Sequence, residues 1–440
     1  MGEHFIAMNE IQGESALIIG YGREGKSVEA WLHKHYPSLR IGVTDAKDGD
    51  QYLQTLHEYD TVIRSPGVSP YLPEIAAFVR QGGHVTSATN IFFSHVPGMV
   101  IGVTGTKGKS TTASLITHIL SAHYPDVRLV GNIGIPMLDH LEGASKSTIF
   151  VAELSSHQLT DIRYSPHIAA LLPIVPEHQD YYPDLETYAA AKANITKFQT
   201  AEDIIIYDTS NSRLAHIAHT SLAQKRPYTS QKQIDGAYAW MEGNVVMSLQ
   251  GAVIDRSAIA LQGNAHSLLA ATVVSHSMNV TDSDIGEALR TFTPLPHRLE
   301  PVGDYDGVRY INDSLSTIPE AAVHALDALG PDVATLIAGG FDRGLSYDVL
   351  GKRLLSSLVQ TLILFPDTGK KIKNAVIQAD AHHLSHITYY DVHTMEEAVK
   401  LAKTHTPKGK ICLLSPASAS FNLFRDYADR GEQFKEWVKK

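Results

Sequence analysis

The stretch Val100-Ile101-Gly102-Val103-Thr104-Gly105-Thr106-Lys107-Gly108-Lys109-Ser110-Thr111-Thr112 constrains this chain more than any other. A β-branched strand runs into a glycine turn and then a helix start. Such a turn aims backbone N–H groups at one point, and the helix adds its positive end there. Lys109 places a cation beside those donors, and Ser110 and Thr111 offer hydroxyls to a magnesium ion. This is chemistry for a polyphosphate, with ATP the expected one. The general G-x-x-x-x-G-K-[ST] pattern is met imperfectly, because Val103 stands where its first glycine belongs. The alternative is a tight strand–helix turn with a solvated lysine.

An earlier stretch has the same logic. The strand Ala16-Leu17-Ile18-Ile19 leads into Gly20-Tyr21-Gly22-Arg23-Glu24-Gly25, a helix is expected from Lys26 to His35, and a second strand ends at Asp45. That is a dinucleotide-type βαβ fingerprint, with the acid placed for a ribose or uridine hydroxyl. A packing-driven turn remains the alternative. A third strand, 59–63, ends in Arg64-Ser65-Pro66-Gly67, at the sheet edge where open α/β folds bind ligands. Pro97-Gly98 reads as a hinge, and Pro294-Leu295-Pro296 as a second boundary.

Between these boundaries, Glu153 ends a buried strand, well placed for a phosphate-bound metal, with helix capping as the alternative. His178 follows another strand, beside Glu177 and Asp180. Lys192, on an alanine-rich helix expected over 185–199, reads by itself as a surface lysine. From Asp203 the pattern turns β-rich, and after Pro296 strand–loop–helix alternation resumes, so a third mostly parallel sheet is expected. A chain of 440 residues suggests roughly three domains. A net charge of −10 argues against nucleic-acid binding. Cys412, alone, rules out an internal disulfide and suits a reducing compartment. No run approaches the roughly 20 apolar residues of a membrane span, and no export signal is visible, so a cytoplasmic location is expected.

The segments TGTKGKSTT, GNIG, ELSSHQL, EHQDYYPDLETYAAAK, LPHRLE, NDSLST, GGFDRG and LLSPASASFNLFRDYADRGEQF occur in the order and spacing of the Mur ligases. The chain resembles most the branch that joins D-glutamate to UDP-N-acetylmuramoyl-L-alanine. The resemblance implies three α/β domains. Residues 1–95 would form a Rossmann-like UDP-binding domain. Residues 96–296 would form a P-loop ATPase-type parallel sheet with extra β strands. Residues 297–440 would form a Rossmann-like amino-acid domain that closes over the site.

It also implies roles. Gly105, Thr106, Lys107, Gly108, Lys109, Ser110 and Thr111 match the ATP loop, with Asn264, Arg298 and Asp313 as further nucleotide contacts. Ser110, Thr111, Glu153 and His178 match magnesium ligands, and Lys192 the lysine that, once carbamylated, holds a second ion. Lys109, His178 and Lys192 would be catalytic. Gly20, Tyr21, Gly22, Arg23, Asp45, Ser65, Pro66, Gly67, Asn132 and Ser155 would bind the UDP substrate. Arg343, Ser420, Phe421 and Tyr427 would bind the amino acid.

The implied reaction is ATP-dependent amide formation through an acyl phosphate in peptidoglycan precursor synthesis, by a monomer that needs neither nucleic acid nor membrane. The chain departs from the family pattern at Pro173, Leu315, Ile318 and Arg343, each in place of the usual asparagine or lysine, and keeps only Asn264 and Ser267 of the adenine motif. Alternatives therefore stay open: addition of L-glutamate, a different precursor, or a noncatalytic nucleotide-binding homologue. A folylpolyglutamate-synthase type is disfavoured by the N-terminal fingerprint. A dinucleotide oxidoreductase would leave Lys109, Glu153 and His178 without a role.

Overall fold

The computed structural model describes residues 9–49, 51–132, 136–175, 181–182, 184–259, 265–293, 296–380 and 387–440. The described residues form three sheets. The first is all parallel, in the order β2-β1-β3-β4, from β1 (Ser15–Ile19), β2 (Arg40–Thr44), β3 (Thr61–Arg64) and β4 (His84–Ser87). The second holds β5 (Met99–Thr104), β6 (Val127–Gly131), β7 (Ile149–Glu153), β8 (Ile168–Leu171), β9 (Ile204–Asp208), β10 (Gln224–Thr229), β11 (Ala239–Glu242), β12 (Val245–Ser248) and β13 (Gly251–Asp255). Their order is β13-β12-β11-β10-β9-β8-β5-β7-β6, parallel except for the closing β11-β12-β13 meander. The third holds β14 (Glu300–Tyr305), β15 (Val308–Asn312), β16 (Val333–Gly340), β17 (Thr361–Asp367), β18 (Thr388–Asp391) and β19 (Ile411–Leu414). Its order is β14-β15-β19-β16-β17-β18, with only the β14 edge antiparallel.

The chain divides into two compact units, one running to Phe292 and the other beginning at Thr293. In the first unit the expected boundary at 95/96 falls between two sheets that share one core. Ile18, Trp31, Phe92 and Phe93 pack in the same cluster as Val100, Phe150, Leu171 and Tyr182. The Phe92 and Phe150 rings meet edge to face at 5.3 Å. Leu17, Ile19 and Val62 fill the opposite face of the first sheet, as a strand's two-residue period requires. In the second unit the same period sorts the third sheet. Leu336, Leu362, Leu364, Ile411 and Leu413 join one core, and Ile337, Ile363, Phe365, Cys412 and Leu414 the other. Helices cover both faces, so strand ends and their loops are left to bind ligands.

Local differences from the sequence reading have physical causes. The helix after the phosphate loop begins at Lys109, with Gly108 at φ +85° as its N-cap. The helix expected over 185–199 stops at Ala193 and tightens into a 3-10 turn, Asn194–Thr196. There the Asn194 amide donates to the Leu159 and Thr160 carbonyls instead of facing solvent. β10 escapes a pattern search because Gln224-Lys225-Arg226-Pro227 is polar and contains a proline, yet it pairs with β9 and β11. Among the described residues no helix is long and apolar enough to cross a membrane.

Because Phe150 joins the cores of both sheets, Phe150→Ala should destabilise the whole first unit. Denaturant unfolding should show a loss of about 3–5 kcal/mol, and both sheets should lose protection from hydrogen exchange together. Loss of protection confined to the second sheet would contradict a shared core.

Candidate active site

The carboxyl end of β5 carries the phosphate loop. Gly105 sits at φ +150°, and a Cβ there would lie 2.5 Å from Leu172 Cβ, so only glycine suits the turn. Lys109 Nζ donates to the carbonyls of Thr106 at 2.9 Å and Gly105 at 3.1 Å. Lys192 Nζ donates to the same Gly105 carbonyl at 2.8 Å and lies over the Tyr188 ring. Lys192 is 1% exposed, so reading it as a surface lysine is corrected: its helix turns it inward onto the loop. Thr106 is pinned by its hydroxyl to the Val175 carbonyl and Tyr188. Ser110 is buried in the first turn of the helix, with Thr111 next to it. Lys107 is half-buried on the loop.

The neighbouring strand β7 ends at Glu153, which is 2% exposed. Its Oε1 accepts a hydrogen bond from Asn132 Nδ2 at 3.1 Å, while Oε2 is buried with no hydrogen-bond partner. A buried, unsatisfied carboxylate oxygen at the end of the strand paired with β5 is a donor that suits Mg2+, a hard cation that prefers oxygen. Among the described residues no three His, Cys, Asp or Glu side chains converge as a metal cluster. His178 and Asn264 lie outside the described residues.

The first sheet supplies an adjoining pocket of about 470 Å³, lined in part by Gly20, Gly22, Arg23, Asp45, Ser65, Pro66, Gly67 and Asn132. Gly20 takes φ +86°, and its carbonyl accepts from the Ser65 hydroxyl at 2.6 Å. Asp45 Oδ2 accepts from the Tyr21 N–H at 2.7 Å, and Oδ1 from Lys47 N–H. Those two backbone donors hold its carboxyl below the usual carboxylate range. A second pocket, about 280 Å³, is lined by Pro66, Gly67, Asn132, Ser155, Ser156, His157 and both lysines, Lys109 and Lys192. Pro66, Gly67 and Asn132 line both pockets, so one ligand can run from the fingerprint loop to the phosphate-loop lysines.

The turn after β3 is organised by a residue that sequence reading left unassigned. Arg64 is fully buried, and its guanidinium meets Asp161 at 2.8 and 3.2 Å. Its Nη1 also donates to the carbonyls of Ser65, Pro66 and Val68. The available signal was a lone charge closing an apolar strand. His157 was also missed; its ring stacks edge-on against Tyr181 at 4.1 Å.

In the second unit, Asp313 is buried at the end of β15. It accepts from the Leu299 N–H at 3.1 Å and the Ser415 hydroxyl at 2.7 Å. Burial raises its carboxyl to about 6 despite those bonds and nearby Arg298. Arg343 and Phe421 are exposed, Tyr427 is at the surface, and Ser420 is buried. The Phe341 and Phe421 rings stand 6.2 Å apart, and Phe341 and Ala419 form a β-bridge between the two loops. Arg430, also unassigned from sequence, ties these loops from below. It is fully buried and donates to Ser314 Oγ, the Ser314 carbonyl and the Ser418 carbonyl. Burial lowers its guanidinium to about 9, so it stays charged at neutral pH.

Two parallel-sheet ligand edges, one with a phosphate loop, define a nucleotide-dependent enzyme of the α/β class. Residues 103–273 match the Mur ligase middle domain, and residues 297–418 the glutamate ligase domain of Mur ligases. The chain belongs to the Mur ligase family. The UDP-N-acetylmuramoylalanine--D-glutamate ligase of Acetivibrio thermocellus is 34% identical over 89% of this chain and 84% of its own length. The UDP-N-acetylmuramoyl-L-alanine--L-glutamate ligase of Xanthomonas axonopodis pv. citri is 29% identical over 98% of this chain and 96% of its own. The fold is also that of a MurF ligase from Thermotoga maritima solved in complex with ADP. It has a TM-score of 0.56 at 16% identity, covering 98% of this chain and 95% of that one.

Replacing Arg64 by methionine should leave Asp161 without its partner and take a donor from the Pro66 and Val68 carbonyls, while Ser65 O keeps the Val68 N–H. A loss of about 3 kcal/mol is expected in urea unfolding. Asp161→Asn in the Arg64→Met background should recover part of it; a double variant no more stable than the single one would argue against the pair as the cause.

Proposed function

We propose that this enzyme joins D-glutamate to UDP-N-acetylmuramoyl-L-alanine at the expense of ATP, in peptidoglycan precursor synthesis. The observation that carries this reading is the pair of pockets sharing Pro66, Gly67 and Asn132. One has the fingerprint loop for a nucleoside diphosphate, and the other faces Lys109 and Lys192. A UDP-linked substrate laid along them would bring its far end, the alanine carboxylate, to the phosphate loop.

The chemistry follows from what a carboxylate lacks. It does not react with an amine at neutral pH until one oxygen becomes a leaving group. Transfer of the γ-phosphoryl group from ATP to that oxygen gives an acyl phosphate and ADP. The neutral amine of glutamate then adds to the acyl carbon, phosphate leaves, and the nitrogen gives up a proton. Lys109 and the loop N–H groups stabilise charge on the phosphoryl oxygens. Ser110, Thr111 and Glu153 would hold one Mg2+, and His178 with carbamylated Lys192 a second; such ions supply charge neutralisation during phosphoryl transfer. Asn132, held by Glu153, and Ser155 would orient the muramoyl part.

Gly20, Tyr21, Gly22, Arg23, Asp45 and Ser65 would bind the UDP part. Asn264, Arg298 and Asp313 would contact the ATP nucleoside, and Arg343, Ser420, Phe421 and Tyr427 the amino acid. Residues 1–95, 96–296 and 297–440 would be the corresponding three domains of a cytoplasmic monomer.

A second reading, addition of L-glutamate, draws on the L-glutamate ligase that matches along nearly the whole chain. Arg343 bears on it, because a guanidinium binds a carboxylate as a planar fork rather than as a point charge.

Phosphate release should require ATP, Mg2+, UDP-N-acetylmuramoyl-L-alanine and D-glutamate together. Faster release with L-glutamate would establish the second reading, and no release with either enantiomer would overturn both. Glu153→Gln and Lys109→Met should each lower kcat by about 100-fold or more, with the fold unchanged by circular dichroism.

A further inference from the structure

The first pocket contains an acid that the proposed reaction does not use. Glu24 lies in the first turn of the helix Arg23–His35 and lines the pocket between the glycine turn and the Ser65-Pro66-Gly67 turn. The reading of this pocket as a diphosphate site puts an anion against that helix end. An ionised carboxylate there would repel it, whereas a carboxylic acid would offer it an O–H donor.

We propose that Glu24 binds the diphosphate of the nucleotide substrate as a neutral acid, so that substrate binding takes up one proton. This rests on the diphosphate reading given above and adds to it a proton-holding contact that sets the pH range of substrate affinity.

Glu24's place in the pocket wall and its burial support it. The side chain is half-buried, beside the Gln158 side chain that lines the same pocket. Gln158 is itself fixed, because its Oε1 accepts from the Ser155 N–H and hydroxyl. The amide thus turns its NH2 toward Glu24, a contact that fixes where the carboxyl sits but by itself favours the ionised form. Lastly, burial pushes the Glu24 carboxyl up to about 7, against the lowering influence of Arg64 and Gln158.

The charged groups around Glu24 leave it as the one that titrates in this range. Arg23, on its own helix, and Asp45, at the end of β2, line the same pocket. Asp45 is held ionised by its two backbone donors. Arg64, at the end of β3, is already engaged by Asp161, and Tyr181 beside it is raised to about 12. No other ionisable side chain lines the pocket among the described residues. A diphosphate bound beside Glu24 would raise its carboxyl further, so affinity is highest below pH 7 and falls as the free enzyme loses the proton.

The test is calorimetric titration of the full-length protein with UDP-N-acetylmuramoyl-L-alanine from pH 6 to 9, in buffers of different ionisation enthalpy. The diphosphate diester and the carboxylate of this ligand keep their charge over that range. The wild-type Kd should rise roughly tenfold per pH unit above 7, with close to one proton taken up at pH 8. Glu24→Gln should bind with the same affinity at every pH and take up none. A wild-type Kd that does not change with pH, or an unchanged pH dependence in Glu24→Gln, would overturn the proposal while leaving the pocket's assignment intact. No binding by the wild type at pH 6 would overturn the assignment and the proposal together. Proton uptake by the wild type is itself decisive if Glu24→Gln fails to fold.

Discussion

Two ammonium groups meet at one carbonyl oxygen. Lys109 and Lys192, 83 positions apart in sequence, both donate to Gly105 O. Holding like charges this close inside a protein is unfavourable unless negative charge is brought to them. The phosphate loop and its helix start meet at that point, and Glu153 ends the strand paired with β5. As ammonium groups both lysines place positive charge at the phosphate loop, where a polyphosphate would offset it; carbamylation, proposed above for Lys192, would replace that residue's positive charge by a negative one. Gly105 makes the geometry possible, since a side chain there would collide with Leu172.

The packing of the first unit gives this charge centre its reach. Phe92, Phe93 and Phe150 fuse the cores of the first two sheets, so the turn after β3 and the loop after β7 face shared pockets. Arg64 reinforces that junction by pairing with Asp161 while gathering the carbonyls of its own turn. A buried guanidinium is expensive to desolvate, and a carboxylate plus several carbonyls together satisfy its fork of donors. In the second unit Arg430 does comparable work without a carboxylate among the described residues, donating to the Ser314 hydroxyl and the carbonyls of Ser314 and Ser418.

Much of the architecture was legible because it is local. Strands β5, β7, β16 and β19 announce themselves as apolar runs of 4 to 8 residues. Lys109 follows directly from the order of residues in its loop. β10 was not legible, since its hydrogen bonds to β9 and β11 override a polar composition and a proline. Nor was the burial of Lys192 legible from its helix alone, whose alanines give no preference for either face. The motifs of a known family supplied what spacing could not, and they gave no role to Glu24, Arg64 and Arg430, whose importance lies in what surrounds them.

Sequence by itself determined the α/β class, the phosphate loop with its glycines, and the family. These depend on residues within a few positions of each other, where strand period, turn chemistry and helix start are set by the chain. Tertiary structure alone decided which charges are buried together. Arg64 and Asp161 are 97 positions apart, and Arg430 and Ser314 are 116 apart. Only the packed sheets bring such groups into contact, and only contact determines whether a lysine, an arginine or a glutamate lies in water or at a site where its charge has consequences.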